Sequence, residues 1–294
     1  MEPSLRIQEF TDPACPFAFS AEPARQRLRW LYGDAIEWHP RMIALSQSPD
    51  DYLDKGFTPE KMAASLATIQ NLYGMPIDPR ERPRMAASAH ACWAVVAARL
   101  HSPRHELPLL RQLRIRAMAG ELLDEPITIA QAALAAGLQP LRLFGIWHSD
   151  PAVDEALEAD MAAARAPSRP ALALDHKLAD AGDGRRYTAP SYEIERIDDG
   201  ARFDVPGFQP TAVYEAAIAN LAPELGRRAA PESVEEVLGW ADEPLATAEV
   251  AAVMEIGLDE ARTELARVAH EDPVGPDGWW SLPPADAPAV AAAA

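Results

Sequence analysis

Extended-chain patterning occurs in this sequence in two places, and neither is complete without the other. Near the start, SLRIQEF (4–10) and AIEWHPRMIAL (35–45) read as strands. A helix is predicted between them, from Ala21 to Tyr32, ending at Gly33-Asp34. The first strand puts Leu5, Ile7 and Glu9 on one side and Arg6, Gln8 and Phe10 on the other. In the second, Pro40 is expected to interrupt the ladder or mark a bulge. Far downstream, PSYEIERI, an Asp198-Asp199-Gly200 turn and ARFDVPGF read as a hairpin, followed by the helix PTAVYEAAIANLAPEL. A lone hairpin is marginally stable in water and needs a sheet to join. The strand–helix–strand unit, with its right-handed crossover, supplies one.

Between these segments the period changes. MAASLATIQNLYG, MAASAHACWAVVAARLH, ELPLLRQLRIRAMAGELL, TIAQAALAAGL and VDEALEADMAAARA repeat their apolar residues at helical spacing, separated by Pro- or Gly-bearing turns. Five or six helices and no strand are expected from 46 to 184. The division is therefore one α/β layer structure at 1–45 and 185–228, with a helical domain inserted at 46–184. Residues 229–294 form a third unit. SVEEVLGWA, TAEVAAVMEIG and DEARTELARVAHE read as three short helices and GWWSL as a strand, which is the outline of a winged helix. The closing PADAPAVAAAA is low-complexity and expected to be disordered.

Charge bears on what that third unit can do. Residues 229–294 hold 2 Lys+Arg against 14 Asp+Glu, a net of −12 out of −18 for the chain. Such a surface repels nucleic acid and anionic membranes. The presumed recognition segment, DEARTELARVA, offers only Arg262 and Arg267 among several acids, where a basic excess is normal. No run approaches the roughly 20 apolar residues of a membrane span, and MEPSLRIQEF lacks the form of a signal peptide. The two cysteines, Cys15 and Cys92, cannot build a disulfide scaffold, so a reducing, cytoplasmic setting is expected. The seven histidines show no HxxH or HExxH spacing, and no metal site is expected. GxGxxG, Walker and GxSxG motifs are missing.

Chemistry concentrates in TDPACPFAFS (11–20). Cys15 stands where the first strand hands over to a helix, and Pro16 suits a first helical turn. Free backbone N–H groups and the helix dipole there lower a thiol's pKa from about 8.5 toward neutrality. The alternative is a buried, inert cysteine closing the corner. A second feature is Tyr187-Thr-Ala-Pro190-Ser-Tyr. Pro190 directly precedes a strand expected to be central, and a cis Ala189–Pro190 bond would create a tight turn there. That turn would face the helix beginning near Cys15, along the strand-end crevice where open α/β sheets bind ligands.

The order of elements, the Asp-x-x-Cys-Pro-aromatic segment and the Thr-x-Pro before the third strand resemble the thioredoxin fold. More narrowly, residues 4–228 resemble the DsbA/FrnE-like branch, relatives of 2-hydroxychromene-2-carboxylate isomerase and kappa-class glutathione transferases. In that branch a helical domain interrupts the thioredoxin domain. The resemblance implies that Cys15 is the catalytic nucleophile and Pro190 the cis-proline, with Pro16, Phe17, Ala18, Ala189 and Ser191 binding the substrate or thiol. It also exposes a departure, because Ala18 stands where a resolving cysteine belongs. A dithiol cycles because its second sulfur releases the mixed disulfide. Cys15 instead has to wait for an external thiol.

Other candidates are His39, His90, Trp93 and Arg186, each a possible wall of the cleft, with core packing the competing reading for His90 and Trp93. Asp183-Gly-Arg-Arg186 would be solvated loop or a seat for the carboxylates of a thiol cofactor. Cys92 reads as core, or as a distant resolving thiol were the helical block to fold over Cys15. Trp279-Trp280 are expected to anchor the tail on the body. The resulting expectation is a monothiol oxidoreductase or thiol-dependent transferase or isomerase. It would act through Cys15 on a small-molecule thiol, disulfide or electrophile, with glutathione or mycothiol as cofactor. The alternative is a non-catalytic binding or regulatory protein on a degenerate scaffold. A homodimer is the default assembly.

Overall fold

The computed structural model describes residues 2–284. β1 (Leu5–Thr11) leads into α1 (Pro16–Ser20), α2 (Glu22–Tyr32) and β2 (Ile36–Met42). The helical stretch follows as α3 (Asp50–Asp54), α4 (Pro59–Tyr73), α5 (Ala89–His101), α6 (Glu106–Met118), α7 (Pro126–Ala135), α8 (Pro140–Ser149), α9 (Pro151–Ala164) and α10 (Arg169–Leu172). A small ribbon of β3 (Leu178–Asp180) and β4 (Arg185–Tyr187) precedes β5 (Ser191–Arg196), β6 (Arg202–Val205) and α11 (Thr211–Leu221). The last unit comprises α12 (Val234–Ala241), β7 (Leu245–Ala246), α13 (Thr247–Met254), α14 (Leu258–Val268), β8 (His270–Val274) and β9 (Asp277–Ser281).

The main sheet has the order β2-β1-β5-β6, so strands from both ends of the helical stretch share it. β1 pairs in parallel with β2 and antiparallel with β5, and β5 forms the hairpin with β6. Leu5, Ile7 and Ile194 point into a core shared with Leu28 and Leu31 of α2 and with Tyr214 and Ile218 of α11. Val237, Val250, Leu265 and Trp280 of the last unit enter the same core. A second core lies within α5 to α9 and receives Met42 and Ala44 from the end of β2.

Several local expectations are corrected. The stretch 46–184 holds eight α-helices among the described residues, and β3 is a strand within it. Asp50–Asp54 and Arg169–Leu172 are too short to show a period, and α8 buries only Leu143. The helix expected from Ala21 to Tyr32 is α2, and a separate short α1 precedes it, with Pro16 and Pro23 in their opening turns. Pro40 interrupts nothing: Glu9 and Pro40 are partners in an unbroken ladder. β2 is an edge strand, so a missing N–H is tolerated there. α9 covers that edge, where the buried carboxylate of Asp160 accepts from Met42 N (3.0 Å) and Arg41 (2.9 Å). The segment expected to be disordered lies, from residue 285 on, outside the described residues.

The last unit carries the three helices and the aromatic hairpin, plus β7, which was not anticipated; the strand order is β7-β9-β8. It is fastened to the body by polar contacts, one of them a buried ion pair. Arg111 of α6 reaches Glu249 at 2.6 Å, with side chains 8% and 0% exposed. Arg27 of α2 reaches the Val253 carbonyl at 2.9 Å and Glu255 at 2.6 Å. Trp279 and Trp280 are both buried, the first edge-on to Phe19 at 6.1 Å. At the turn between β8 and β9, Gly275 (φ +61°) lies so close to the chain that a Cβ would sit 2.4 Å from the Ile77 carbonyl oxygen. On α14, Arg262 is paired with Asp277 and Glu271 and Arg267 with Glu264, so neither offers a free cation.

Candidate active site

The end of β1 is shaped by Asp12. Its backbone carbonyl accepts from Cys15 N (3.1 Å) and its Oδ1 from Ala14 N (2.7 Å), which folds the chain into a turn. Its other oxygen, Oδ2, accepts from Leu45 N (2.7 Å), the Ser88 hydroxyl (2.7 Å) and the Cys92 thiol (3.7 Å). One buried carboxylate thus ties together the ends of β1 and β2 and the start of α5. Burial pushes its pKa up, and the four hydrogen bonds oppose that shift.

Cys15 caps α1 and is 6% exposed. Its sulfur donates to the Ala189 carbonyl at 3.3 Å, and the Ala189–Pro190 bond is cis. The loop is held by Ser191, whose hydroxyl donates to Thr188 O (2.7 Å) and accepts from Gly207 N (2.9 Å). Beneath it, Tyr187 stacks on Phe10 with centroids 4.3 Å apart and donates to Glu193 at 2.8 Å. The helix end was expected to lower the thiol pKa. The balance runs the other way: burial pushes Cys15 up to about 11. The N–H groups of Ala18 and Phe17 and the charge of Arg114 favour the thiolate, and the Asp12 charge opposes it. Desolvation outweighs the favourable groups because water scarcely reaches the sulfur.

Pro16 is half-buried beside Cys15, and Ala18 is 1% exposed in a cluster with Phe10, Ile43 and Tyr187. Phe17 points outward, 40% exposed, and packs edge-on against Tyr73 and Phe208, each at 6.2 Å. Arg186 is half-buried, within electrostatic reach of Asp12, Cys15 and Arg165, and donates to Tyr187 O at 2.9 Å. Burial and the like charge of Arg165 lower its pKa. The remaining cleft candidates lie elsewhere. His39 sits mid-strand on edge strand β2, paired with Glu37 at 2.9 Å. His90 is exposed and joins Trp93 and Trp147 in an aromatic cluster on the helical stretch, at 5.8 and 5.4 Å. Neither contacts Cys15, because α5 turns toward the site only with its Ser88 and Cys92 side. Cys92 itself is fully buried and reaches the site through Asp12.

Asp12, Ser88 and Tyr52 are neighbours of the thiol that the sequence analysis gave no role. Asp12 stood in the quoted motif, and Ser88 and Cys92 are spaced i, i+4 on one helical face. Tyr52 left no signal; it comes close to Asp12, Cys15 and Cys92 through the short helix α3, and burial raises its pKa. Next to Ala14 and Tyr52 lies a small cavity of about 80 Å³ walled by Met62, Leu66 and Met85. Behind the site, Arg114 of α6, 1% exposed, is held by Glu9 at 2.6 Å and by Glu22 and Thr11. Among the described residues no group of three or more His, Cys, Asp or Glu could hold a metal, and no helix is long and apolar enough to cross a membrane.

Comparison with known proteins gives concordant results. A family model described as a DSBA-like thioredoxin domain matches residues 6–168. Among solved structures, the chain is similar to a provisionally assigned protein disulfide isomerase from Nitrosomonas europaea, with 16% identity, 76% of this chain and 100% of that one covered, and a TM-score of 0.56. It is similar to a provisionally assigned DsbA oxidoreductase from Streptomyces coelicolor, with 18% identity, 75% and 91% covered, and a TM-score of 0.54. It is also similar to the cytosolic disulfide reductase DsbM from Pseudomonas aeruginosa, with 20% identity, 75% and 98% covered, and a TM-score of 0.51. At these identities the structural likeness is one of fold. No curated protein matches the chain in sequence.

Proposed function

This chain belongs to the DSBA-like thioredoxin-domain family, whose members are thiol–disulfide oxidoreductases, and on that premise we propose that it is a monothiol member acting through Cys15. The observation that supports this reading is the thiol of Cys15 bonded to the Ala189 carbonyl, at the rim where β1 ends and β5 begins. A substrate disulfide R–S–S–R′ reaching that rim meets the Cys15 thiolate. A Cys15–S–S–R bond forms, the R–S–S–R′ bond breaks, and R′S⁻ leaves with the proton that Cys15 gave up. With Ala18 in the second position, an external low-molecular-weight thiol has to attack next, releasing R as a new mixed disulfide and restoring Cys15. Glutathione or mycothiol are the thiols of suitable chemistry, and Arg186, within electrostatic reach of Cys15, would meet a carboxylate. The same cleft could direct a bound thiol at an electrophile. A cytosolic setting, as for the reductase DsbM, is part of the proposal.

The test is mass spectrometry of the protein after incubation with oxidised glutathione or mycothiol disulfide. A disulfide adduct at Cys15, removed by excess thiol and lost in Cys15→Ser, is expected. A second reading rests on a specific observation: Cys15 is buried with its pKa pushed up to about 11. If the thiol stays unmodified by these disulfides even at alkaline pH, the chain is a non-catalytic binding protein on this scaffold.

A further inference from the structure

At the end of α5 far from Cys92, the helical stretch encloses a hollow of about 210 Å³. One wall is the end of α5 with the Pro103–His105 turn, and the other runs from Gly137 into α8. The chain holds 45 Asp+Glu against 27 Lys+Arg, yet this lining contains no acid. It contains Arg104, Arg142, His101 and His105. Both arginines are exposed, and among the described residues neither has an ion-pair partner, in contrast to Arg99 and Arg111. His105 lies against Gly137, where φ is +80° and an added Cβ would sit 3.7 Å from the ring. Its Nδ1 is buried and bonds to nothing, whereas a buried polar atom normally has a partner or an ordered water. α8 starts on the same wall at Gln139, with no side chain capping it, so the first N–H groups of a ten-residue helix are free. Two features oppose an anion here. α5 ends at the hollow, its Ala98 carbonyl taken by Ser102 N at 2.8 Å, and Asp150 stands close by, held by His101 at 2.7 Å. Positive charge remains in excess, because the two helix ends carry about half a charge each, of opposite sign, and Asp150 offsets at most one guanidinium.

We propose that this hollow binds a phosphate group, free or as a phosphomonoester, through Arg104, Arg142 and the ring of His105. A dianion is favoured over a carboxylate because two guanidinium groups and a helix start share one small space. That space is below the roughly 300 Å³ of an ordinary small-molecule site and suits a single such group. No residue of the lining takes part in the thiol site, so the proposal is independent of the chemistry at Cys15. The test is isothermal titration calorimetry of the full chain at constant ionic strength, with inorganic phosphate, glycerol phosphate and acetate. Saturable phosphate binding is expected, weakened about tenfold in Arg104→Gln and in Arg142→Gln. It should be unchanged in Cys15→Ser and in Arg169→Gln, an exposed arginine outside the hollow. Acetate should bind about tenfold more weakly than phosphate, or less well still. Binding of inorganic phosphate identifies the free ion as a sufficient ligand, and binding of glycerol phosphate alone upholds the site with an ester as its ligand. The proposal is overturned if neither phosphate saturates, if acetate binds as tightly, or if Arg169→Gln loses as much affinity as the other two, which is general charge attraction. It is overturned too if Arg104→Gln weakens binding and Arg142→Gln does not, because Arg104 also borders a separate cavity between α2 and α6.

Discussion

The Cys15 sulfur donates to the carbonyl of Ala189 across 3.3 Å, joining residues 174 positions apart in the chain. While that bond holds, the thiol is protonated, dry and directed at the loop that a substrate would approach. The resting site is closed, and its chemistry depends on what opens it.

Alkylation of Cys15 by iodoacetamide should therefore follow a pKa near 11. An unperturbed cysteine titrates near 8.5, so at pH 7 the thiolate fraction falls about 300-fold below a model peptide. Peptide-level mass spectrometry separates Cys15 from the fully buried Cys92. The folded-state pKa lies above the unfolded one, so this group favours the folded state below the unfolded pKa and loses that contribution as pH rises through about 11. A labelling midpoint at or below 8.5 would contradict the burial argument.

Asp12→Asn should lower the Cys15 midpoint, because the Asp12 charge is among the groups that raise it. The same change replaces an acceptor of four hydrogen bonds by one that also donates, which costs about 1–3 kcal/mol. Native Asp12 has its pKa raised by burial, so its contribution favours folding at low pH and is lost as pH climbs past the raised value. Urea denaturation across the acid range should show that slope in the native protein and its absence in Asp12→Asn.

Ala18→Cys should convert the protein to a dithiol. Mild oxidation is expected to close an intramolecular disulfide with Cys15, seen as a mass loss of two hydrogens. A mixed disulfide at Cys15 should then be resolved once per molecule without an external thiol, releasing RSH and leaving the intramolecular disulfide. Ala18 is 1% exposed, so the extra sulfur should cost about 1–3 kcal/mol in overpacking. If the variant can form the intramolecular disulfide yet releases no RSH from the mixed disulfide, the second-sulfur argument is wrong.

Arg111→Met should strand the fully buried carboxylate of Glu249. Removing one partner of a buried pair costs about 3–5 kcal/mol. Hydrogen exchange should show faster opening of α13 and β9 before the main sheet responds. Uniform destabilisation of the whole chain would mean that the last unit is inseparable from the body.

The sheet and its interruption were legible because period 2 and period 3.6 are both strong where one face is buried. Leu5 and Ile7 alternate into the core, and the hairpin turns at Asp198-Asp199-Gly200, so their placement needed little tertiary information. Cys15 and Pro190 were legible as chemistry at strand ends. The thiol's pKa was not, since a helix start is visible in sequence whereas the depth of burial of the cysteine is a property of the packed whole. Asp12 was quoted and passed over, because a carboxylate gains meaning only when Leu45, Ser88 and Cys92 close around it. The cleft reading of His90 and Trp93 failed for a related reason: adjacency to Cys92 in sequence puts them on another face of α5, where Trp93 packs against the helical core, its competing reading. Pro40 misled because nothing local says whether a strand lies at an edge.

The placement of β1 between β2 and β5 also dictates an order of assembly. β2 leaves the ribosome soon after β1, whereas β5 begins only at Ser191, behind the entire helical stretch. Until then one side of β1 lacks a partner, and an unpaired strand edge invites association with other nascent chains. The helices, whose contacts are largely local, can condense first. For this chain, finishing the middle of the sheet is the late event in biosynthesis, and any delay in translating residues 46–190 prolongs the interval in which a newborn copy can stick to its neighbours.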